Sequence, residues 1–183
     1  TPGVGWSITN NICSQRDLYL EETSEEHPGG FLYDGEWITS TRRVETIQIR
    51  DKEDHVETVV HSHNGPIVDP ILPEPVQDTG PVSLRWVGMY GGGWLTSRLA
   101  MNRATTVSEL HEVMQPWHVP TFCVVSGDTQ GNIGLRATGK IPRRKKYNRH
   151  YRKGSDPQDQ WQGFIPFDEM PELINPDCEW IRT

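Results

Sequence analysis

This chain is poor in the features that most often declare a function. Its cysteines are only Cys13, Cys123 and Cys178, an odd number with no Cys-x-x-Cys pair, so neither a disulfide framework nor a zinc knuckle is supported. No apolar run approaches the roughly 20 residues of a membrane-spanning helix, and no basic-then-apolar segment opens the sequence. Positive charge is not in excess: a formal net charge of -7 and a pI near 5.5 argue against general affinity for nucleic acid or anionic membrane. Hydrophobic residues make up 34% and the mean hydropathy is -0.65, which leaves a modest core. Phosphate-binding loops are missing, because Gly91-Gly92-Gly93 is neither a Walker loop nor a dinucleotide fingerprint and reads as a flexible connector. Ser126 lacks the first glycine of a G-x-S-x-G elbow and reads as a turn serine.

What is present is punctuation. Within 183 residues, 17 glycines, 14 prolines and 7 tryptophans describe a loop-rich, strand-rich α+β chain of one domain or part of one. Residues 5–21 read as a strand, a polar turn and the strand Leu18-Tyr19-Leu20, and an acidic loop follows from Glu21 to Gly30. Asp34-Gly35 between two aromatic-apolar runs predicts a two-residue hairpin, and residues 44–50 and 55–61 predict a second. Pro66, Pro70, Pro73, Pro75 and Pro81 mark an extended loop. Residues 95–103 suggest a short helix with Leu95 and Leu99 one turn apart. Thr106 with Glu109 makes a capping box, ahead of the apolar stripe Val107, Leu110, Val113, Met114 and Trp117. A compact strand from Phe122, a turn and a return strand from Ile133 close the pattern.

Several residues invite a chemical reading. Thr1 beside its own α-amino group has the makings of a nucleophile and base, although Pro2 and the cut look of the terminus make the position incidental. Cys123 and His118 offer a thiol and an imidazole, against a plainer reading of Cys123 as a small strand residue. His61 and His63 share a strand face as metal ligands do, next to His55, with ordinary strand and loop histidines as the alternative. Arg143, Arg144, Lys145, Lys146, Arg149, Arg152 and Lys153 crowd one stretch that reads as an exposed basic loop or an anion-binding module.

Six segments in order then resemble one family. They are Trp6-Ser7-Ile8-Thr9-Asn10-Asn11 with Asp17-Leu18-Tyr19, then Ser62-His63-Asn64-Gly65-Pro66-Ile67, Leu84-Arg85-Trp86 and Met101-Asn102-Arg103-Ala104. The closing pair is Asp128 through Gly134 with Gly139-Lys140-Ile141-Pro142-Arg143-Arg144, and Trp161 through Pro171. Together they are similar to the penicillin acylase (penicillin amidase) family of N-terminal-nucleophile hydrolases.

The resemblance implies an αββα sandwich and hydrolysis of a linear amide in a small N-acyl substrate, such as a β-lactam side chain, an acyl-homoserine lactone or an N-acyl amino acid. It implies a nucleophilic serine exposed by precursor cleavage, so residues 1–183 are expected to be a fragment of the catalytic chain. The partners are then the rest of its precursor, an alpha chain and the upstream beta chain, with no nucleic acid and no membrane, in a periplasmic or secreted setting. By the family's order Asn10 supplies a backbone oxyanion donor, Cys123 stands where the family has a donor asparagine, and Arg144 lies near the active site. No cofactor is needed for the chemistry. A structural calcium in several members would call on Asp17, the Arg16 carbonyl and Ser14. The Cys123 departure leaves an inactive family member as an alternative.

Overall fold

The computed structural model of the chain describes residues 3–77, 79–147 and 149–183. Thr1 lies outside them. The chain divides into two compact units, one from Thr1–Gln15, Val87–Arg143 and Gly163–Thr183, the other from Arg16–Trp86 and Arg144–Gln162.

In the first unit the strands β1 (Val4–Asn10), β8 (Phe122–Asp128), β9 (Ile133–Thr138) and β13 (Glu172–Ile174) form one antiparallel sheet in the order β1-β8-β9-β13. Helices α2 (Trp94–Met101) and α3 (Val107–Glu112) supply the apolar cover. Thr106 caps α3 by accepting from the Glu109 N–H at 3.2 Å, while the Glu109 carboxylate accepts from the Thr105 N–H at 2.8 Å. The predicted stripe is the core: Val107, Leu110, Met114 and Trp117 are buried with Val4, Met101, Ala104 and Val124, and Val113 packs against them.

The sheet alternates as a half-buried sheet should. Val4, Trp6, Phe122 and Val124 belong to the core cluster, so the same face of both strands meets the helices. The turn between β8 and β9 is built by Asp128, whose Oδ1 accepts from the N–H groups of Gln130 and Asn132, both at 3.0 Å. Its Oδ2 accepts from the Val107 N–H at 3.1 Å, tying the turn to the start of α3. Gly134 is required by packing, since a Cβ there would lie 2.5 Å from Val107 Cγ1 and 2.8 Å from His111 Nε2.

In the second unit β2 (Arg16–Leu20) is flanked by β7 (Val82–Trp86), antiparallel, and β11 (Arg152–Lys153), parallel. Two hairpins project from the sequence where the turns predict them: β3 (Gly30–Tyr33) with β4 (Glu36–Thr39), and β5 (Thr41–Ile47) with β6 (His55–His61). Asp34 and Gly35 take φ values of 50° and 81°, the pair of positive angles that such a turn demands. Strands β10 (Pro142–Arg144) and β12 (Trp161–Phe164) pair as a separate ribbon.

Several expectations change. The proline-rich loop holds a 3-10 turn at Asp69–Ile71 and a short helix α1 (Glu74–Gln77), because proline fits the first turn of a helix, where no backbone N–H is needed. Leu95 and Leu99 are half exposed, and α2 buries Ser97 and Met101 instead. Ser126 is a strand residue opposite Trp6. Gly93 caps α2, and a Cβ there would fall 1.9 Å from the Pro116 carbonyl oxygen, so it is tightly packed rather than a loose connector. Glu21 is not the start of a solvated acidic loop: it is buried.

Candidate active site residues and the family

Asn10 and Cys123 lie in the first unit, on neighbouring strands one step out of register: Asn10 faces Phe122, and Cys123 faces Thr9. The ladder between β1 and β8 is bonded through odd-numbered β1 positions. At one end the Asn11 N–H donates to the Thr121 carbonyl at 3.3 Å, and at the other the Thr129 N–H donates to the Gly3 carbonyl at 2.8 Å. Antiparallel partners alternate between bonded and non-bonded pairs, so the Asn10–Phe122 pair is non-bonded. The Asn10 N–H therefore points away from β8. Among the described residues no strand pairs with that edge of β1.

Cys123 is half-buried and unoxidised. Its partner positions are Thr9 and Ala137, on the sheet face opposite the helices. His118 bonds the Gly91 carbonyl through Nδ1 at 3.1 Å. A thiol is a weak donor compared with a carboxamide, so Cys123 offers less to an oxyanion than an asparagine would.

Arg144 and Asp17 belong to the second unit. The Arg144 Nε donates to Asp17 Oδ2 at 2.7 Å, and the Trp161 indole N–H donates to the same oxygen at 2.5 Å. Arg152 Nε forms an ion pair with that oxygen at 3.1 Å. The Trp161 ring is flanked by guanidinium groups, Arg85 4.8 Å and Arg144 5.7 Å from its centroid. Behind it, burial pushes the Tyr19 phenol up to about 12, against the lowering influence of Arg85, and its hydroxyl donates to the Asp159 carbonyl at 3.4 Å.

These surroundings test the calcium expectation. Calcium takes about six to eight oxygen ligands and favours carboxylates. Asp17 brings one carboxylate that already faces two guanidiniums, and among the described residues no three His, Cys, Asp or Glu side chains come together as a metal group. By themselves these residues supply fewer oxygens than calcium takes. His55, His61 and His63 gather no metal group either, and His63 Nε2 instead lies 3.1 Å from the Gly154 carbonyl oxygen.

Comparison with known proteins decides the family. The family model described as penicillin amidase matches residues 1–183. The chain belongs to the penicillin amidase family. It is 26% identical to penicillin G acylase of Escherichia coli over 190 residues, covering 98% of this chain and 21% of that protein. It is 23% identical to the acyl-homoserine lactone acylase QuiP of Pseudomonas aeruginosa, covering 98% of this chain and 22% of that protein. A solved thermostable penicillin G acylase from Alcaligenes faecalis matches with a TM-score of 0.80 at 23% identity, over 100% of this chain and 34% of that one. The fold is thus α+β and strand-rich, as in that acylase, and the relatives are hydrolases. The chain spans about a fifth of the length of these curated relatives.

Some residues that organise this family member carried no sequence signal of their role. Glu21 Oε1 accepts from Ser83 Oγ at 2.5 Å, Ser62 Oγ at 2.6 Å and Asn64 Nδ2 at 3.2 Å, which locks the Ser62–Gly65 turn to β2 and β7. Gly154 must be glycine beside it, since a Cβ would lie 2.0 Å from Glu21 Oε2. Arg152, grouped by sequence with the basic loop, is 2% exposed and donates to the Asp159 and Lys146 carbonyls, each at 3.2 Å. Arg143 pairs with Glu169, and Lys145 bonds Gln158 at 2.7 Å. The basic loop is therefore largely spent on internal partners, and nothing in its charge run announced that.

No helix of the described residues is long and apolar enough to cross a membrane.

Proposed function

We propose that this chain is part of the catalytic chain of an amidohydrolase that cleaves the linear amide of N-acyl compounds: a β-lactam side chain, an acyl-homoserine lactone or an N-acyl amino acid. The nucleophile is an N-terminal serine from another segment of the same precursor, exposed by cleavage of that precursor. Its hydroxyl attacks the amide carbon while its own α-amino group takes the proton, and the tetrahedral oxyanion needs donors fixed in advance. Asn10 supplies one through its backbone, Cys123 occupies the place of the second, and Arg144 orders the surroundings. No cofactor takes part. The family's exported setting belongs to the same reading.

The observation that supports this best is the direction of the Asn10 N–H. It leaves the open edge of β1 uncommitted to the β8 ladder, as a backbone donor to a substrate must be. That geometry also makes the test clean, because proline is tolerated in an edge strand where its missing N–H faces outward. In the precursor-length polypeptide, Asn10→Ala should be mild, and Asn10→Pro should lower kcat about 100- to 1000-fold. Wild-type turnover by the proline variant would falsify the donor assignment.

Cys123 motivates a second reading, an inactive family member, since the expected carboxamide is missing. Cys123→Asn separates the two. A rise from measurable to faster turnover fits a working but weakened hole, and activity appearing only in the variant fits the inactive parent. A binding module built on the basic stretch draws less support, because Arg143, Arg144 and Arg152 are already paired within the protein.

A further inference from the structure

Asn10 is the last residue of β1, and the end of a strand is where backbone geometry is least protected against fraying. Thr9 stands opposite Cys123 at a bonded position of the ladder, so the peptide that carries the Asn10 N–H is fixed from one side. On the other side the chain leaves the sheet at once, and Ile12 is 98% exposed. Asn11 stands between them. Its N–H donates to the Thr121 carbonyl at 3.3 Å and its carbonyl accepts from the Thr121 hydroxyl, so one residue grips both backbone polar groups of the position that follows the donor. The same carbonyl accepts from the Cys13 N–H at 2.8 Å. That bond closes the turn on itself, whereas the Thr121 bonds tie it to the residue leading into β8.

Thr121 is itself anchored in the interior. It is buried, and the carbonyl of Pro120 before it accepts from the indole N–H of the core residue Trp117 at 2.8 Å. Gly139 lies so close that a Cβ there would stand 2.8 Å from Thr121 Cγ2. At the far end of the same loop the Gln15 amide donates to the His118 and Lys140 carbonyls, at 2.8 and 2.9 Å, so the loop is fastened at both ends. Such fastening matters because a donor stabilises an oxyanion best when it is aimed before the charge develops. We propose that Thr121 is the positioning residue for the Asn10 donor: its hydroxyl holds the Asn11 carbonyl, and the Asn10 N–H thereby stays directed out of the open edge of β1. Its effect on rate rests on the acylase reading, whereas the clasp itself rests on the geometry.

Two readouts in the precursor-length polypeptide separate the clasp from the chemistry. Hydrogen exchange needs no turnover: Thr121→Val should speed exchange of the amides in residues 9–13 about 2- to 10-fold, leave the rest of the ladder between β1 and β8 as it was, and be reversed by Thr121→Ser. Unchanged exchange, or a rise along the whole ladder alike, overturns the positioning role. Thr121→Ala reads the same loss should the valine variant not fold. Turnover of an N-acyl p-nitroanilide is the second readout. Here Thr121→Val should lower kcat about 10-fold with KM unchanged, because the oxyanion forms only on the way to the transition state. Thr121→Ser should recover the rate, and Thr121→Val added to Asn10→Pro should lower kcat no further. Losses that multiply in the double variant overturn the proposal. Wild-type turnover by Asn10→Pro sinks the donor assignment alone, and in that case, as with an inactive parent, the exchange result decides the clasp.

Discussion

The two units differ in what lies at their centres: an apolar cluster in the first, a network of polar and charged groups in the second. The first is held by an apolar cluster of Val4, Met101, Ala104, Val107, Leu110, Met114, Trp117 and Val124, and also buries Ser97, His111, Thr121, Arg136 and Thr138. The second encloses Tyr19, Phe31, Val82 and Trp161 among Glu21, Asn64, Ser83, Arg152, Asp159 and Gln160. Apolar burial is non-directional and follows area, so it tolerates exchange of one hydrophobe for another of similar volume. Buried polar groups are directional, and each loses heavily when its partner goes. The apolar cluster of the first unit should bend under mutation where the polar interior of the second breaks.

The sharpest break is expected at Arg152→Met, which keeps much of the volume but leaves Asp17 and two carbonyls without their buried partner. It should cost about 3 to 5 kcal/mol, read as a shift of the urea midpoint. A similar exchange in the first unit, Leu110→Met, should cost under about 1.5 kcal/mol in the same assay. Equal losses from the two would erase the contrast. A smaller effect still is assigned to Thr106→Ala, about 1 kcal/mol, because it removes the cap that accepts from Glu109 at an exposed helix end.

The weakest probe is pH. His111 is held below its ordinary range first by burial, with Glu172 pulling the other way and Arg136 reinforcing the shift. Its Nδ1 faces Glu172 Oε1 at 2.9 Å and its buried Nε2 has no hydrogen-bond partner among the described residues, which suits a neutral ring. The unfolded chain then takes a proton before the folded one does, so stability is full above the ordinary value of 6.5 and declines as pH falls below it. Unfolding midpoints at pH 7.5 and 5.5 should therefore differ more in the wild type than in His111→Asn.

Much of this was legible in the chain. The capping box and the spacing of Val107 and Leu110 specified α3 and its buried face, whereas Val113, Met114 and Trp117 reach the same core from the turns that follow its end at Glu112. Asp34-Gly35 fixed its hairpin through the φ angles it accepts. The motif from Asp128 to Gly134, which resembled a family signature, proves to be structural: Asp128 builds the turn and Gly134 makes room for Val107 and His111. Leu95 and Leu99 misled because two apolar residues a turn apart define a stripe without saying whether anything lies against it.

By itself, then, the sequence determined the strand-and-turn order, the apolar core of the first unit and the family, all of which follow from local spacing or shared motifs. Tertiary structure alone decided that Glu21 and Arg152 are interior, that Asp17 accepts from Arg144 and Trp161, and that the Asn10 N–H faces outward. Those depend on hydrogen-bond register and on partners up to 144 residues apart, and a charged residue carries the same letter whether it meets water or a buried partner.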